Sequence, residues 1–187
     1  MPRRAALPMV LTFARVLAVP VMVYVLLVGM YAHAFWVFVA AGLSDALDGI
    51  LAKRLNAASR LGAFLDPIAD KGLMVAVYVT LGHTGAIPLW LVILVVFRDV
   101  LIVLGAAVYH ALTHSLTMEP LPISKLNTGA QIVFAGLVLA QLGPGIGVPV
   151  VTETMLYVVA ATTVASGAAY VWGWSRRVLA HEHEEAG

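Results

Sequence analysis

Residues 45–70 read DALDGILAKRLNAASRLGAFLDPIAD, and long apolar runs lie on both sides of this stretch. It contains four of the ten acidic residues of the chain: Asp45, Asp48, Asp66 and Asp70. The first two are three residues apart and the last two are four apart, so each pair shares one face if the segment is helical. Three basic residues separate the pairs: Lys53, Arg54 and Arg60. The pattern predicts two helices joined by a short basic connection, with an acidic pair near each connected end.

The composition is typical of a membrane protein. Of the 187 residues, 61% are hydrophobic and 11% are charged, against roughly 25% charged residues in an average soluble domain. The mean hydropathy is +0.96, and a soluble enzyme is therefore excluded. Eleven Lys and Arg against ten Asp and Glu leave no basic surface for nucleic acid. The lack of cysteine excludes disulfides and thiolate catalysis. A single membrane domain over residues 1–187 remains.

Six apolar runs are long enough to cross about 30 Å of hydrocarbon, which takes roughly 20 helical residues. They are Pro8–Met30, Phe35–Leu51, Leu61–Leu81, Ile87–Tyr109, Ile123–Leu142 and Pro149–Trp174. The predicted fold is all-α, a polytopic membrane protein with six transmembrane helices. The predicted breaks include Tyr31–Ala34 and the charged stretch Lys53–Arg60.

Charge placement predicts the orientation, because Lys and Arg near span ends mark the cytoplasmic side. The Lys and Arg residues near the span ends all fall on one side of the six predicted spans. They are Arg3, Arg4, Lys53, Arg54, Arg60, Lys125, Arg176 and Arg177. Both termini are therefore predicted to be cytoplasmic, with residues 176–187 as a polar tail. A cleavable signal peptide ending near Ala34 is the weaker alternative, because Arg15 interrupts the first apolar run.

The acidic residues predict a metal site. Four carboxylates a few ångströms apart need compensating positive charge. Aspartate oxygens suit hard divalent ions such as Mg²⁺ or Mn²⁺, and two such ions would balance the charge. Metals held in this way typically clamp a phosphate or diphosphate. Two classes compete with this hypothesis: an ion or proton transporter, which could also place acids at helical spacing, and a non-catalytic membrane scaffold.

Small and basic residues lie among the acids. Gly49, Ala52 and Gly62 would let a ligand approach the backbone closely, and Lys53 and Arg54 supply cations suited to a diphosphate. Tight packing between helices is the alternative role of the small residues.

Written with its spacing, the segment is Asp45-x-x-Asp48-Gly49-x-x-Ala52-Lys53, eight residues, then Gly62-x-x-x-Asp66-x-x-x-Asp70. It resembles the signature D-x2-D-G-x2-A-R-x8-G-x3-D-x3-D of the CDP-alcohol phosphatidyltransferase family, with Lys53 in place of the usual arginine and Arg54 after it. Pro8–Arg15 resembles the family's P-N-x-L-T-x-x-R, with Met9 in place of Asn. Phe64–Lys71 is similar to the F-L-D-P-x-A-D-K of the branch that contains phosphatidylglycerophosphate synthases and cardiolipin synthases.

The resemblance implies transfer of a phosphatidyl group from CDP-diacylglycerol to an alcohol, with release of CMP. It implies two Mg²⁺ or Mn²⁺ ions held by Asp45, Asp48 and Asp66, with Asp70 as a further ligand and as the base. The residues that it implies for nucleotide binding are Thr12, Arg15, Gly49, Ala52, Lys53, Arg54 and Gly62. It also implies six transmembrane helices in a homodimer. The N-terminus lacks an Arg- and Ser-rich amphipathic leader, so the expected location is a bacterial plasma membrane with the active site facing the cytoplasm.

The second half of the chain bears on the acceptor alcohol. Arg98-Asp99-Val100 and Ile123–Thr128 are similar to the R-D-V and I-S-K-x-N-T of cardiolipin synthases. Enzymes that use glycerol-3-phosphate tend to carry a lysine where this chain has Asn127. The predicted acceptor is phosphatidylglycerol, bound by Arg98, Lys125 and Asn127, and glycerol-3-phosphate is the alternative. A structural role also stays open, with Arg98 paired to Asp99 and Lys125 extending to the interface.

Overall fold

The computed structural model describes residues 17–55, 60–113 and 121–185, with side chains described outside 45–55, 60–70, 106–113, 174 and 177–185. All regular structure in that part of the chain is helical, so the prediction of an all-α fold is confirmed. The helices are α1 Leu17–Leu27, α2 Tyr31–Leu55, α3 Arg60–His83, α4 Leu89–Thr113, α5 Pro122–Leu142 and α6 Pro149–Glu185.

The break between α1 and α2 lies earlier than the sequence predicted. Tyr31–Ala34 is the first turn of α2, and the chain turns at residues 28–30. Gly29 has a φ of +75°, and its N–H bonds the Leu26 carbonyl at 3.1 Å while the Met30 N–H bonds the Val25 carbonyl at 2.8 Å. These two bonds form a Schellman motif, which needs a left-handed residue at the glycine position.

Two polar segments predicted outside the helices are helical. Helix α2 continues to Leu55, so Lys53 and Arg54 belong to its last turn and not to a connecting loop. Helix α6 continues to Glu185, so the predicted tail is helical over residues 176–185. The reason is local, because no glycine or proline follows Gly173 until the end of α6.

The chain forms two compact units. The first comprises Met1–Pro88 and Ala135–Pro149, and the second comprises Leu89–Phe134 and Val150–Gly187. The buried apolar side chains described in the first unit include Met22, Leu26, Ala34, Leu73, Val77, Tyr78, Leu81 and Ile87. Those of the second include Leu91, Val92, Val95, Phe134, Val159 and Tyr170. The second unit also buries a set of polar side chains: Arg98, Asn127, Gln131, Thr163 and Ser166.

Within the first unit, the end of α5 packs closely on the start of α2. A Cβ built on Gly143 would lie 2.7 Å from the Tyr31 carbonyl oxygen and 2.8 Å from the Ala32 Cα. A real Cβ atom could not approach backbone atoms this closely, so only glycine, which has a hydrogen atom in place of Cβ, fits at this position. Gly143 thus lies against the first turn of α2, the segment that the sequence predicted as a break between helices.

Two of the helices are long and apolar enough to cross a membrane, as judged from the described residues: α5 and the Pro149–Gly173 part of α6. By length and composition alone, a buried helix of a soluble protein would meet the same criterion. Many large apolar side chains face outward on the second unit, including Ile93, Phe97, Val103 and Leu104 of α4.

Candidate active site

The four aspartates lie on two consecutive helices. Asp45 and Asp48 are on α2, and Asp66 and Asp70 are on α3. Their side chains fall outside the described ones, as do all those of residues 45–70. The helix bounds nevertheless give their heights: Asp45 is ten residues before the end of α2 and Asp70 is ten after the start of α3, about 15 Å along each axis. Asp48 and Asp66 are seven and six residues from the same ends, about 10 Å.

The residues predicted to bind the nucleotide divide between described helices and undescribed chain. Gly49, Ala52, Lys53 and Arg54 lie on the last two turns of α2, and Gly62 lies on the first turn of α3. Thr12 and Arg15 fall outside the described residues. No group of three acidic or histidine side chains that could hold a metal occurs among the side chains the structure describes, a set that does not include the four aspartates.

Arg98 of α4 is the charged centre of the second unit. Its residue surface is 4% exposed, and its Nη1 bonds the Asp99 carboxylate at 2.8 Å. Its Nη2 donates to the Ser124 hydroxyl of α5 at 2.6 Å and to the Ser166 hydroxyl of α6 at 2.5 Å. The predicted pairing of Arg98 with Asp99 is therefore present, and two hydroxyls from other helices share the same guanidinium.

Asn127 lies one helical turn beyond Ser124 on α5 and is fully buried. The hydroxyls of Thr162 and Thr163, both on α6, each lie 2.9 Å from its Oδ1. Thr162 also lies within hydrogen-bond distance of the Val158 and Val159 carbonyls of its own helix.

These hydrogen bonds and the ion pair join seven side chains into a polar cluster. Its members are Arg98, Asp99, Ser124, Asn127, Thr162, Thr163 and Ser166. From Leu121, the residue before α5, rising residue numbers pair with falling numbers along α6. Leu121 pairs with Tyr170, Ser124 with Ser166 through Arg98, and Asn127 with Thr163. The first segment of α5 and α6 are therefore antiparallel in this unit.

Two donors in the polar cluster have no hydrogen-bond partner among the described residues: Arg98 Nε and Asn127 Nδ2. Leaving a buried N–H without an acceptor costs about 1–3 kcal/mol in a folded protein. Both donors belong to residues predicted to bind the acceptor. The structure thus brings Arg98 and Asn127 into one cluster, whereas Lys125 has an exposed side chain.

Sequence reasoning missed the contribution of α6. Thr163, Ser166 and Tyr170 follow one another at spacings of three and four residues within an apolar segment, so they share one helical face. That spacing was a readable signal for a polar face turned toward protein, since hydroxyls in such helices commonly bond to neighbouring helices. Which residues they meet on α4 and α5 required the tertiary structure.

Comparison with known proteins places these observations in a family. The sequence model described as CDP-alcohol phosphatidyltransferase matches residues 5–165, which covers the aspartates of the first unit and most of the polar cluster of the second. The chain belongs to the CDP-alcohol phosphatidyltransferase family. This membership confirms the resemblance predicted from residues 45–70 and makes the chain a member of a phosphotransferase family of membrane type.

Three similar proteins carry names of two kinds. A Drosophila melanogaster protein named "Probable cardiolipin synthase (CMP-forming)" is 34% identical over 88% of this chain and 56% of its own length. An Oryza sativa protein named "CDP-diacylglycerol--glycerol-3-phosphate 3-phosphatidyltransferase 1, chloroplastic" is 33% identical over 88% of this chain and 55% of its own. A Mycobacterium bovis protein named "Putative cardiolipin synthase" is 35% identical over 76% of this chain and 68% of its own. The chain spans a little over half the length of the first two of these relatives.

Proposed function

We propose that this chain transfers the phosphatidyl group of CDP-diacylglycerol to phosphatidylglycerol, in a reaction that depends on divalent metal and releases CMP. The observation that carries the proposal is the placement of the four signature aspartates at matched heights on α2 and α3. Four residues separate these helices, and a connection this short favours antiparallel neighbours. In that arrangement Asp48 comes level with Asp66, and Asp45 with Asp70.

The donor set fits two Mg²⁺ or Mn²⁺ ions. Carboxylate oxygens are the ligands that these hard ions take, and α2 and α3 carry no cysteine or histidine between Asp45 and Asp70. Asp45, Asp48, Asp66 and Asp70 would hold the metals. When bound, such ions neutralise phosphate charge and polarise the phosphorus toward attack.

The chain's own groups supply the remaining steps. Asp70 takes the proton from the acceptor hydroxyl, whose oxygen then forms a bond to the phosphatidyl phosphorus while the bond from that phosphorus to CMP breaks. Lys53 and Arg54, on the last turn of α2, balance the negative charge that develops on the phosphate of the departing CMP. Gly49, Ala52 and Gly62 leave space for the nucleotide, and Thr12 and Arg15 complete its binding site.

Phosphatidylglycerol is proposed as the acceptor because of the charge in the polar cluster. A phosphodiester carries one negative charge, whereas the phosphate of glycerol-3-phosphate carries nearly two at neutral pH. In the polar cluster the Arg98 cation is already paired with Asp99, and Asn127 is neutral. Donors with little net charge suit a phosphodiester better than a phosphomonoester. The names of the Drosophila and mycobacterial relatives support the same acceptor, while the rice relative favours glycerol-3-phosphate as the second candidate.

The proposed setting is a membrane crossed by all six helices, with both termini and the aspartates on the cytoplasmic side and two copies forming a homodimer. The family and the two span-capable helices support a membrane. The outward-facing apolar side chains of α4 support it further, because soluble monomers rarely expose a large contiguous apolar surface. The proposed membrane is a bacterial plasma membrane. Labelling of single cysteines placed at residues 84 and 176, in intact cells and in inverted vesicles, tests the orientation.

The decisive experiment measures CMP release from CDP-diacylglycerol by the purified protein, with phosphatidylglycerol and glycerol-3-phosphate offered separately. We expect release with phosphatidylglycerol, formation of cardiolipin, and loss of both when EDTA removes the metal. Release with glycerol-3-phosphate alone would replace the proposed acceptor with the alternative. If folded, metal-loaded protein released no CMP with either alcohol, the transferase proposal would be wrong for these acceptors.

A further inference from the structure

The polar cluster contains two residues of α6 that the proposed reaction does not yet use. Thr163 is 1% exposed and Ser166 is fully buried. They are three residues apart, so both project from one face of the helix. Thr163 contacts Asn127, and Ser166 contacts Arg98. Asn127 and Arg98 each carry a buried donor without a partner among the described residues.

We infer that Thr163 and Ser166 are positioning residues, which orient the donors Asn127 Nδ2 and Arg98 Nε for the phosphate-bearing headgroup of the acceptor. The inference rests on the proposed function and deepens it. It assigns acceptor selection to hydroxyls of α6 that hold the binding side chains in place.

The guanidinium of Arg98 is constrained by its partners. It has five N–H donors. Both protons of Nη2 are directed to hydroxyls, those of Ser124 and Ser166, and Nη1 is directed to Asp99. These three partners at the two terminal nitrogens restrict the plane of the group, and the Nε proton has no partner among the described residues.

The amide of Asn127 is oriented by Thr163. A threonine hydroxyl has one proton to donate, and the hydrogen bond that Thr163 makes within the described part of the chain is to Asn127 Oδ1. Rotating the Asn127 amide by 180° would replace Oδ1 with the NH₂ group and leave the buried Thr163 hydroxyl proton without this acceptor. The observed amide orientation is therefore favoured. Thr162 contributes less, because its single proton is shared between Oδ1 and two carbonyls of its own helix.

The residues that carry the two donors meet neighbouring positions of α5, since Ser124 contacts Arg98 and Asn127 is three residues further on. Three helical residues rise about 4.5 Å, so the inference assigns both donors to one small headgroup. Arg98 Nε and Asn127 Nδ2 are hydrogen-bond donors beside the Arg98–Asp99 ion pair, which has no net charge. Such a site matches the oxygens of a phosphodiester, which carries a single negative charge. A glycerol phosphate group occurs in both candidate acceptors, and assaying the variants with phosphatidylglycerol and with glycerol-3-phosphate separately distinguishes them.

The test compares the isosteric Thr163→Val, which removes the hydroxyl, with the conservative Thr163→Ser, which keeps it. Thr154→Val is the matched control, because Thr154 is also on α6 and its hydroxyl bonds the Val150 carbonyl of its own helix. We expect Thr163→Val to raise the KM for phosphatidylglycerol about tenfold, the equivalent of about 1.4 kcal/mol. The KM for CDP-diacylglycerol stays within about twofold, and Thr163→Ser and Thr154→Val behave like the parent protein.

Ser166→Ala and Asn127→Asp test the two donors separately. Ser166→Ala is expected to raise the same KM several-fold, with Ser175→Ala as its control, since the Ser175 hydroxyl bonds only the Val171 carbonyl among the described contacts. Asn127→Asp removes the NH₂ group and adds a negative charge, so we expect a larger loss of phosphatidylglycerol use. Activity retained by Asn127→Asp would mean that the amide serves as an acceptor, and the inference would be overturned.

A binding measurement distinguishes failure of this inference from failure of the proposed function. Short-chain phosphatidylglycerol is added to the protein in detergent with EDTA present, and the rise in Tm is recorded without any turnover. A Tm rise in the parent protein that Thr163→Val and Ser166→Ala reduce supports the inference even if no CMP is released. Full turnover of phosphatidylglycerol by the parent protein and by both variants, with equal KM values, would overturn the inference and leave the proposed function standing.

Discussion

The two units bury different kinds of contact. In the first, α5 ends against the start of α2 through backbone atoms, with a distance of 2.7 Å from the Gly143 Cβ position to the Tyr31 carbonyl. In the second, three helices meet through the hydrogen bonds of the polar cluster, centred on Arg98. These helices of the first unit are therefore joined by close backbone packing, and those of the second by hydrogen bonds between side chains.

Because the two contacts differ in kind, substitutions at them should separate stability from function. The Gly143 contact excludes any side chain but offers a ligand nothing to bind. The polar cluster contributes directed hydrogen bonds, and two of its donors have no partner among the described residues. A change at Gly143 should therefore lower the stability of the fold while the remaining folded molecules keep their activity, and a change in the polar cluster should alter recognition first.

The largest effect is expected at Asp70, on the helix of the first unit that carries the second acidic pair. Asp70→Asn removes the proposed base and should lower the kcat for CMP release by about 10²–10⁴-fold. Glu153→Gln, at an exposed acid of α6, serves as the control and should keep full activity. Near-parental turnover by folded Asp70→Asn, with metal bound, would remove Asp70 from the mechanism.

Arg98→Lys should produce the next largest effect, because an ammonium group cannot make the three contacts of the two terminal guanidinium nitrogens or replace the Nε donor. We expect kcat/KM for phosphatidylglycerol to fall roughly tenfold or more, equivalent to about 1.4 kcal/mol or above. The comparison variant is Arg176→Lys, an exposed arginine stacked over Trp172 at 5.6 Å. Equal kinetics for the two variants would show that charge alone suffices at position 98.

Gly143→Ala tests the close backbone packing of the first unit. The added methyl group would meet the backbone of Tyr31 and Ala32, which cannot yield without moving a helix, and overpacking of this kind costs about 1–3 kcal/mol. Thermal unfolding in detergent should show a lower Tm, with the KM for both substrates unchanged. Gly173→Ala is the matched control, as no atom lies within 4 Å of its Cβ position. A changed KM in Gly143→Ala would show that the two kinds of contact are not separable.

The smallest effect is expected at Gly85, in the turn after α3. Its φ of +74° is left-handed, and alanine there should cost about 1 kcal/mol. For a chain of this length, that is a decrease of about 2–4 °C in Tm. Gly72→Ala, inside α3 with open space around its Cβ position, should leave the Tm unchanged or raise it. An unchanged Tm in Gly85→Ala would mean that the turn relaxes at no cost.

Sequence reasoning predicted the helices well because the apolar runs are long and uninterrupted. It failed at segment ends, where tertiary contacts and local capping decide. Tyr31–Ala34 was predicted as a turn, yet it is the first turn of α2, against which Gly143 lies. Lys53 and Arg54 were predicted to lie in a connection, but charged residues with good helix propensity simply extend α2 to Leu55.

The candidate site was predictable in one half and not in the other. The aspartates of residues 45–70 stand at fixed spacings within one stretch of chain, and spacing along a helix is readable from sequence. Arg98 and Asn127 were also identified, but only one by one. Thr163 and Ser166 went unnoticed: their spacing indicates a shared polar face of α6, but the residues that this face meets cannot be read from the sequence.

By itself, the sequence determined the helical architecture, the family and the four aspartates on two consecutive helices, because helix formation and side-chain spacing follow from local periodicity. The tertiary structure decided which polar groups meet across α4, α5 and α6. It also decided that Arg98 and Asn127 each have one buried donor without a partner among the described residues. Those contacts join residues 26, 36 and 68 positions apart, and only the packing of the folded chain brings such distant residues within hydrogen-bond distance.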